Sequence, residues 1–159
     1  MGATLMVGSC EPFSGKSALV LGIARHLIAA NHEIRFGKPL ATSLDLGHKL
    51  SELPDPLIDD DVRFVGSTLD LKDDQLIPSL HLLDPSTAEK RLLNKNLEAG
   101  EGFEALKKQL KDSFDGVTIL EAAGSLHEGL LYGLSLGQVS RGLDASVLLV
   151  HLWQDSCSL

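Results

Sequence analysis

Gly8-Ser9-Cys10-Glu11-Pro12-Phe13-Ser14-Gly15-Lys16-Ser17 decides how this chain is read, because it joins two segments of different hydrophobic period. Before it, Ala3-Thr4-Leu5-Met6-Val7 is short, apolar and partly β-branched and halts at Gly8, which predicts a buried strand. After it, Val20, Ile23, Ala24 and Leu27 recur at helical spacing and form one apolar stripe. A strand, a glycine-bearing loop and a helix in that order can cradle a phosphate. Backbone N–H groups of the loop and helix start surround the anion, and the helix dipole favours its charge. Gly15 lets the backbone approach closely, Lys16 neutralises phosphate charge, and Ser17 offers a hydroxyl to Mg²⁺. The regular pattern has a glycine where this chain has Cys10, and Gly8 stands two positions earlier, so the loop is a variant. The alternative is an ordinary strand-to-helix turn with a surface lysine.

Working outward, Asn31 marks a stop for the helix, and Glu33 to Phe36 predicts a second strand ended by Gly37-Lys38-Pro39. Strand, helix and strand in close succession form a βαβ unit, which requires parallel strands and a right-handed crossover. Pro54 and Pro56 punctuate a loop, and Asp59-Asp60-Asp61 precede Val62, Val65 and Leu69 on one helical face. Short helical patterns follow, notably from Thr87 to Leu93. Phe103, Leu106, Leu110 and Phe114 predict an amphipathic helix that turns Lys107, Lys108 and Lys111 to solvent. Asp115-Gly116 turns the chain into a third strand, Val117-Thr118-Ile119-Leu120, ending in Glu121. A glycine-rich loop and a short helix near Leu134 to Leu143 lead to a fourth strand, Ala145 to Val150. The expected fold is a single α/β domain over residues 1–159, an open, mostly parallel sheet with helices on both faces. Leu159 comes soon after an apolar strand, which leads to the expectation of a truncated chain or a piece of a longer polypeptide.

At 159 residues the chain is long enough for a sizeable core. A net charge of −8 argues against nucleic acid or a membrane surface as partner, since both attract basic patches. It leaves room for a small phosphate ligand held by local amides and lysines. Cys10 and Cys157 are far apart and in no metal-like spacing, which reads as reduced thiols. No apolar run reaches the roughly 18 residues of a membrane span. The N-terminus lacks a basic signal region, and Met6 occupies the place where a myristoylation motif wants Ser or Thr. A cytoplasmic location is the expectation.

Lys38 and Glu121 each follow a predicted strand, so both fall at the carboxyl edge, where open α/β sheets bind ligands. A carboxylate there can bind Mg²⁺ or orient a nucleophile, while a lysine before a proline and a strand-terminal acid are also common surface features. Asp61 is read in two ways, as a Mg²⁺ or substrate contact and as part of an acidic helix start. Cys10 is a small loop residue whose thiol a helix N-terminus could acidify. His127-Glu128 begins no zinc-protease motif, because Leu131 stands where the second histidine belongs. The six histidines are scattered and read as structural or surface residues.

Taken together, Ser14-Gly15-Lys16-Ser17, Gly37-Lys38-Pro39-Leu40-Ala41-Thr42-Ser43 and Glu121-Ala122-Ala123-Gly124 resemble the dethiobiotin synthetase family of P-loop proteins. Glu11 to Ser17, Asp60-Asp61-Val62-Arg63-Phe64 and Asp144 to Trp153 look closer still to the dethiobiotin-synthetase-like N-terminal domain of phosphotransacetylase-family proteins, cyanobacterial ones in particular. The resemblance implies a P-loop NTPase fold and a Mg-ATP site. Glu11, Ser14, Gly15, Lys16 and Ser17 would hold the nucleotide, Ser17, Asp61 and Glu121 would lie on Mg²⁺, and Lys38 and Glu121 would be the catalytic pair. Two features depart from dethiobiotin synthetase itself: the loop is longer, and Ala122 replaces a glycine of the Glu-Gly-Ala-Gly turn. The expected function is a nucleotide-responsive regulatory module of a phosphotransacetylase-like protein. An ATP-dependent ligase and a degenerate P-loop fold used as a protein–protein interface are the alternatives. The expected partners are a nucleoside triphosphate and a second copy of the chain.

Overall fold

The computed structural model describes residues 2–42, 54–111 and 113–153; Ser43, Cys157 and Leu159, named above, lie outside the described residues. Ala3–Ser9 forms β1, and Lys16–Ala29 forms helix α1. Asn31, at φ 63°, then reverses the chain in the left-handed region that asparagine tolerates. Ile34–Gly37 is β2, followed by the two-residue strand β3, Leu40–Ala41. Helix α2 spans Asp60–Thr68, β4 Leu76–Ile77, β5 His81–Leu82, and α3 Pro85–Leu93. Helix α4 covers Glu101–Gln109, β6 Val117–Glu121, α5 Leu136–Gly142, and β7 Ser146–Val150.

Five strands make one sheet in the order β4-β2-β6-β1-β7, and every pairing in it is parallel. The register sets Met6 beside Leu120 and Val7 beside Glu121. Successive side chains alternate between faces, so the sheet carries a core on each side. Val7, Phe36 and Ile119 pack with Val20 and Ala24 of α1 and Val62 and Val65 of α2. Met6 and Leu120 pack on the opposite face with Leu106 of α4 and Val139 of α5. Full burial of each Val, Ile, Leu, Met or Phe side chain among them stabilises the fold by about 1.5–3 kcal/mol.

All four strands expected from periodicity are present. Three further strands are not legible in the pattern: β4, which extends the main sheet beyond β2, and β3 and β5, which pair in parallel as a small separate sheet. Two residues cannot show a period. Gly37 belongs to this unforeseen edge, because a Cβ there would stand 2.5 Å from Ile77 Cβ and 2.8 Å from its carbonyl oxygen. Helix α4 stops at Gln109 instead of continuing to Phe114. The Phe114 ring lies under the Arg35 guanidinium, 4.9 Å away, and Arg35 Nε donates to Thr118 Oγ1 at 2.8 Å. Contacts to the sheet, not helix periodicity, therefore position Phe114.

Candidate functional site

The carboxyl ends of β1, β2 and β6 converge on a cavity of about 640 Å³, whose walls include Ser14, Lys16, Ser17, Lys38, Asp61 and Glu121. Between β1 and α1 the backbone turns left-handed at Phe13, φ 57°, and at Gly15, φ 91°. Such curls underlie anion-binding nests of N–H groups. No side chain caps α1, and the first N–H groups of any helix lack intrahelical partners. A Cβ on Gly15 would meet nothing within 4 Å, so the mouth of the loop is open beside those donors.

Lys16 is buried and its Nζ donates to Ser9 Oγ at 3.0 Å. The Ser9 hydroxyl in turn has two acceptors in reach, the carbonyls of Glu11 at 2.7 Å and Gly124 at 3.0 Å. Burial lowers the Lys16 pKa; Glu121 opposes that shift and Lys38 adds to it. The lysine is thus anchored from behind, in a place where an added anion would favour its charged form.

Glu121 is 1% exposed, at the end of β6. Ser17 Oγ donates to its Oε1 at 3.2 Å, while Oε2 is buried with no partner among the described residues. Burial pushes its carboxyl up to about 7, with Lys38 opposing and Asp61 reinforcing the shift. Ser14 Oγ is the second buried polar atom of this cavity without a partner. Leaving such an atom unsatisfied costs about 1–3 kcal/mol, so these two give the cavity unused hydrogen-bonding capacity.

Opposite the loop, Lys38 is 3% exposed and its three N–H bonds have three acceptors. These are Thr42 Oγ1, Asp59 Oδ1 at 3.3 Å and Asp61 Oδ2 at 2.6 Å. Burial lowers the Lys38 pKa, but Asp59 and then Asp61 outweigh it and the net shift is upward. Asp59 is fully buried: Oδ1 accepts the Asp61 N–H at 2.8 Å, and Oδ2 accepts the Thr42 N–H at 2.7 Å. The helix-start reading of the acidic cluster is realised. Asp59 caps α2, and Asp61, two residues on, lines the cavity beside Lys38.

Of the residues singled out in the sequence, Ser14, Gly15, Lys16, Ser17, Lys38, Asp61 and Glu121 come together on this cavity. Glu11 does not. Its Oε1 accepts the Leu152 N–H at 2.8 Å and lies 3.1 Å from His151 Nδ1, and the Leu152 bond leads the causes that lower its pKa. Glu11 ties the loop to the end of β7. Sequence reasoning passed over Ser9, Thr42, Asp59 and Glu128. Glu128, a cavity-wall residue, accepts the Ser125 N–H at 3.1 Å, and no motif in the sequence marks it. Asp59 carried a legible signal as the first acid before a helix, but its burial depends on residues distant in sequence.

With Asp61, Glu121 and Glu128 on its walls beside two lysines, the cavity suits an anion that arrives with a divalent cation. A bare polyphosphate would meet three carboxylates, whereas a hard cation draws them to it. Among the described residues no helix is long and apolar enough to cross a membrane. Set against models of known protein families, the chain matches none.

Proposed function

We propose that the chain binds Mg-ATP through a P-loop formed by residues 8–17 and acts as a nucleotide-responsive module of a phosphotransacetylase-like protein. The observation that carries the reading is the pair of partnerless buried atoms, Ser14 Oγ and Glu121 Oε2, on the cavity that also presents Lys16 and Ser17. In this reading the loop amides and Lys16 hold phosphate oxygens, and Ser17 and Glu121 hold Mg²⁺. Mg²⁺ takes one or two protein ligands, substrate phosphate oxygens and several waters, which this set can supply. The regulatory role rests on the family resemblance, as does an intracellular setting with nucleotide at hand. The dethiobiotin synthetase likeness is part of the same proposal.

An ATP-dependent ligase is the second reading, favoured by Lys38 and Glu121 facing one cavity and by a Glu121 pKa near that of a working general base. Titration of ATP into wild type and Lys16→Ala, with Mg²⁺ and with a chelator, tests both. Binding that needs Mg²⁺ and weakens by about 1.5–3 kcal/mol in Lys16→Ala supports a nucleotide site. Phosphate release that requires an added carboxylate acceptor selects the ligase. Affinity unchanged by chelation and by Lys16→Ala removes both and leaves a degenerate fold used as an interface. The chain is also proposed to self-associate through β7, the sheet edge, where Val147, Leu149 and Trp153 are exposed.

A further inference from the structure

Away from the cavity, on the outer side of the same loop, three metal-ligating side chains of different type converge. Cys10, Glu11 and His151 each offer one ligand atom, and these atoms all lie within 4.8 Å of one another. Cys10 is an exposed free thiol, and the His151 side chain is 63% exposed, so both are open to solvent. Cys10 and Glu11 are neighbours in sequence, but His151 follows β7 and reaches them only because β7 pairs with β1, Ser9 opposite Val150. Sheet register alone makes the cluster.

We propose that Cys10, Glu11 and His151 form a binding site for a borderline transition-metal cation such as Zn²⁺, separate from the Mg-ATP cavity. Thiolate, imidazole and carboxylate are the three ligand types zinc prefers, and three protein ligands leave a fourth position for water. Tetrahedral bonds of about 2.1 Å place ligand atoms about 3.4 Å apart. His151 Nδ1 and Glu11 Oε2 already stand 3.1 Å apart. Glu11 Oε1 keeps the Leu152 N–H while Oε2 turns to the ion. On binding, the Cys10 thiol gives its proton to solvent and neutral His151 presents the Nδ1 lone pair, its proton resting on Nε2. The site also bears on the loop's lysine: the Glu11 carbonyl is within reach of the Ser9 hydroxyl at 2.7 Å, and that hydroxyl accepts from Lys16 at 3.0 Å. This coupling, unlike the metal site itself, rests on the nucleotide reading.

The test uses Zn²⁺ alone, competed against a chromophoric chelator, on the full untagged chain kept reduced and free of nucleotide. The expected result is one tight Zn²⁺ per chain, insensitive to millimolar Mg²⁺. Cys10→Ser, His151→Ala and Glu11→Gln should each weaken it at least tenfold, while Cys157→Ser leaves it unchanged. X-ray absorption of the zinc-loaded protein should show one sulfur ligand at about 2.3 Å. Wild-type affinity equal to that of the Cys10→Ser/His151→Ala double variant overturns the site. So does a spectrum without sulfur, or a sulfur signal lost in Cys157→Ser and kept in Cys10→Ser.

Discussion

Ser17 Oγ donates to Glu121 Oε1 across 3.2 Å and so joins the first turn of α1 to the carboxyl end of β6. The two residues are 104 positions apart, and the hydrogen bond ties loop to sheet at the cavity wall. It also holds in the protein interior a carboxyl that burial has pushed up to about 7. Several properties of the protein follow from that arrangement.

Stability should fall with pH through the titration of Glu121. Its folded pKa, about 7, lies above the ordinary carboxyl value of 4.5, so the folded state holds the proton more tightly. The contribution is fully present below the unfolded pKa and is lost as pH rises through the folded one. Glu121→Gln keeps an acceptor for Ser17 and removes the buried charge. It should exceed wild type by about 2–3 kcal/mol near pH 8 and by much less near pH 5. Urea unfolding at several pH values measures this; a pH-independent difference would show that Glu121 is solvated.

On the proposed Mg-ATP reading, the same substitution should act on nucleotide binding through the metal. In Glu121→Gln, ATP affinity with Mg²⁺ should drop about tenfold towards the value in chelator, while affinity in chelator stays near wild type, because Lys16 and the loop amides remain. Asp61→Asn should show the same loss if Asp61 shares the ion, and none if it serves only Lys38. Isothermal titration in both conditions separates the cases. An equal loss with and without Mg²⁺ in Glu121→Gln would move Glu121 off the metal.

Asp59 and Asp61 share a lysine and differ in burial, 0% against 38% side-chain exposure. Asp59→Ala removes a helix cap and a fully buried charge beside Lys38, and should cost about 3–5 kcal/mol. Asp61→Ala leaves Lys38 paired with Asp59 and should cost about 1 kcal/mol. Chemical denaturation decides; equal costs would mean that Lys38 depends on both acids alike.

At the other edge, β7 shows Val147 and Leu149 each 49% exposed and leads to Trp153 at 88%. An apolar strand with no outer neighbour among the described residues invites a second strand. Sedimentation should give dimers at tens of micromolar, and Val147→Lys with Leu149→Lys should shift them to monomers. Wild type that is monomeric well above micromolar concentration refutes self-association through this edge.

Hydrophobic period determined, from sequence alone, the α/β class, four of the strands and the order of the first βαβ unit. Val20, Ile23, Ala24 and Leu27 repeat at the helical spacing, and the runs ending at Gly8 and Glu121 are too short and apolar for anything but buried strands. The order of strands and loops in the sequence likewise puts Lys16, Ser17, Lys38 and Glu121 at one edge of the sheet. What only the tertiary structure decided are the relations that need distant segments to meet. The burial of Asp59 behind Lys38, the two-residue strand β4 against Gly37, and the stacking of Phe114 under Arg35 leave no trace in local spacing. Glu11 shows the limit most plainly. Its neighbours in sequence put it in the loop, but the parallel register of β1 and β7 brings His151 and Leu152 to its carboxylate and turns it away from the cavity. Periodicity reports which face a residue occupies, whereas sheet order and register, set by packing of the whole core, decide which residues it meets.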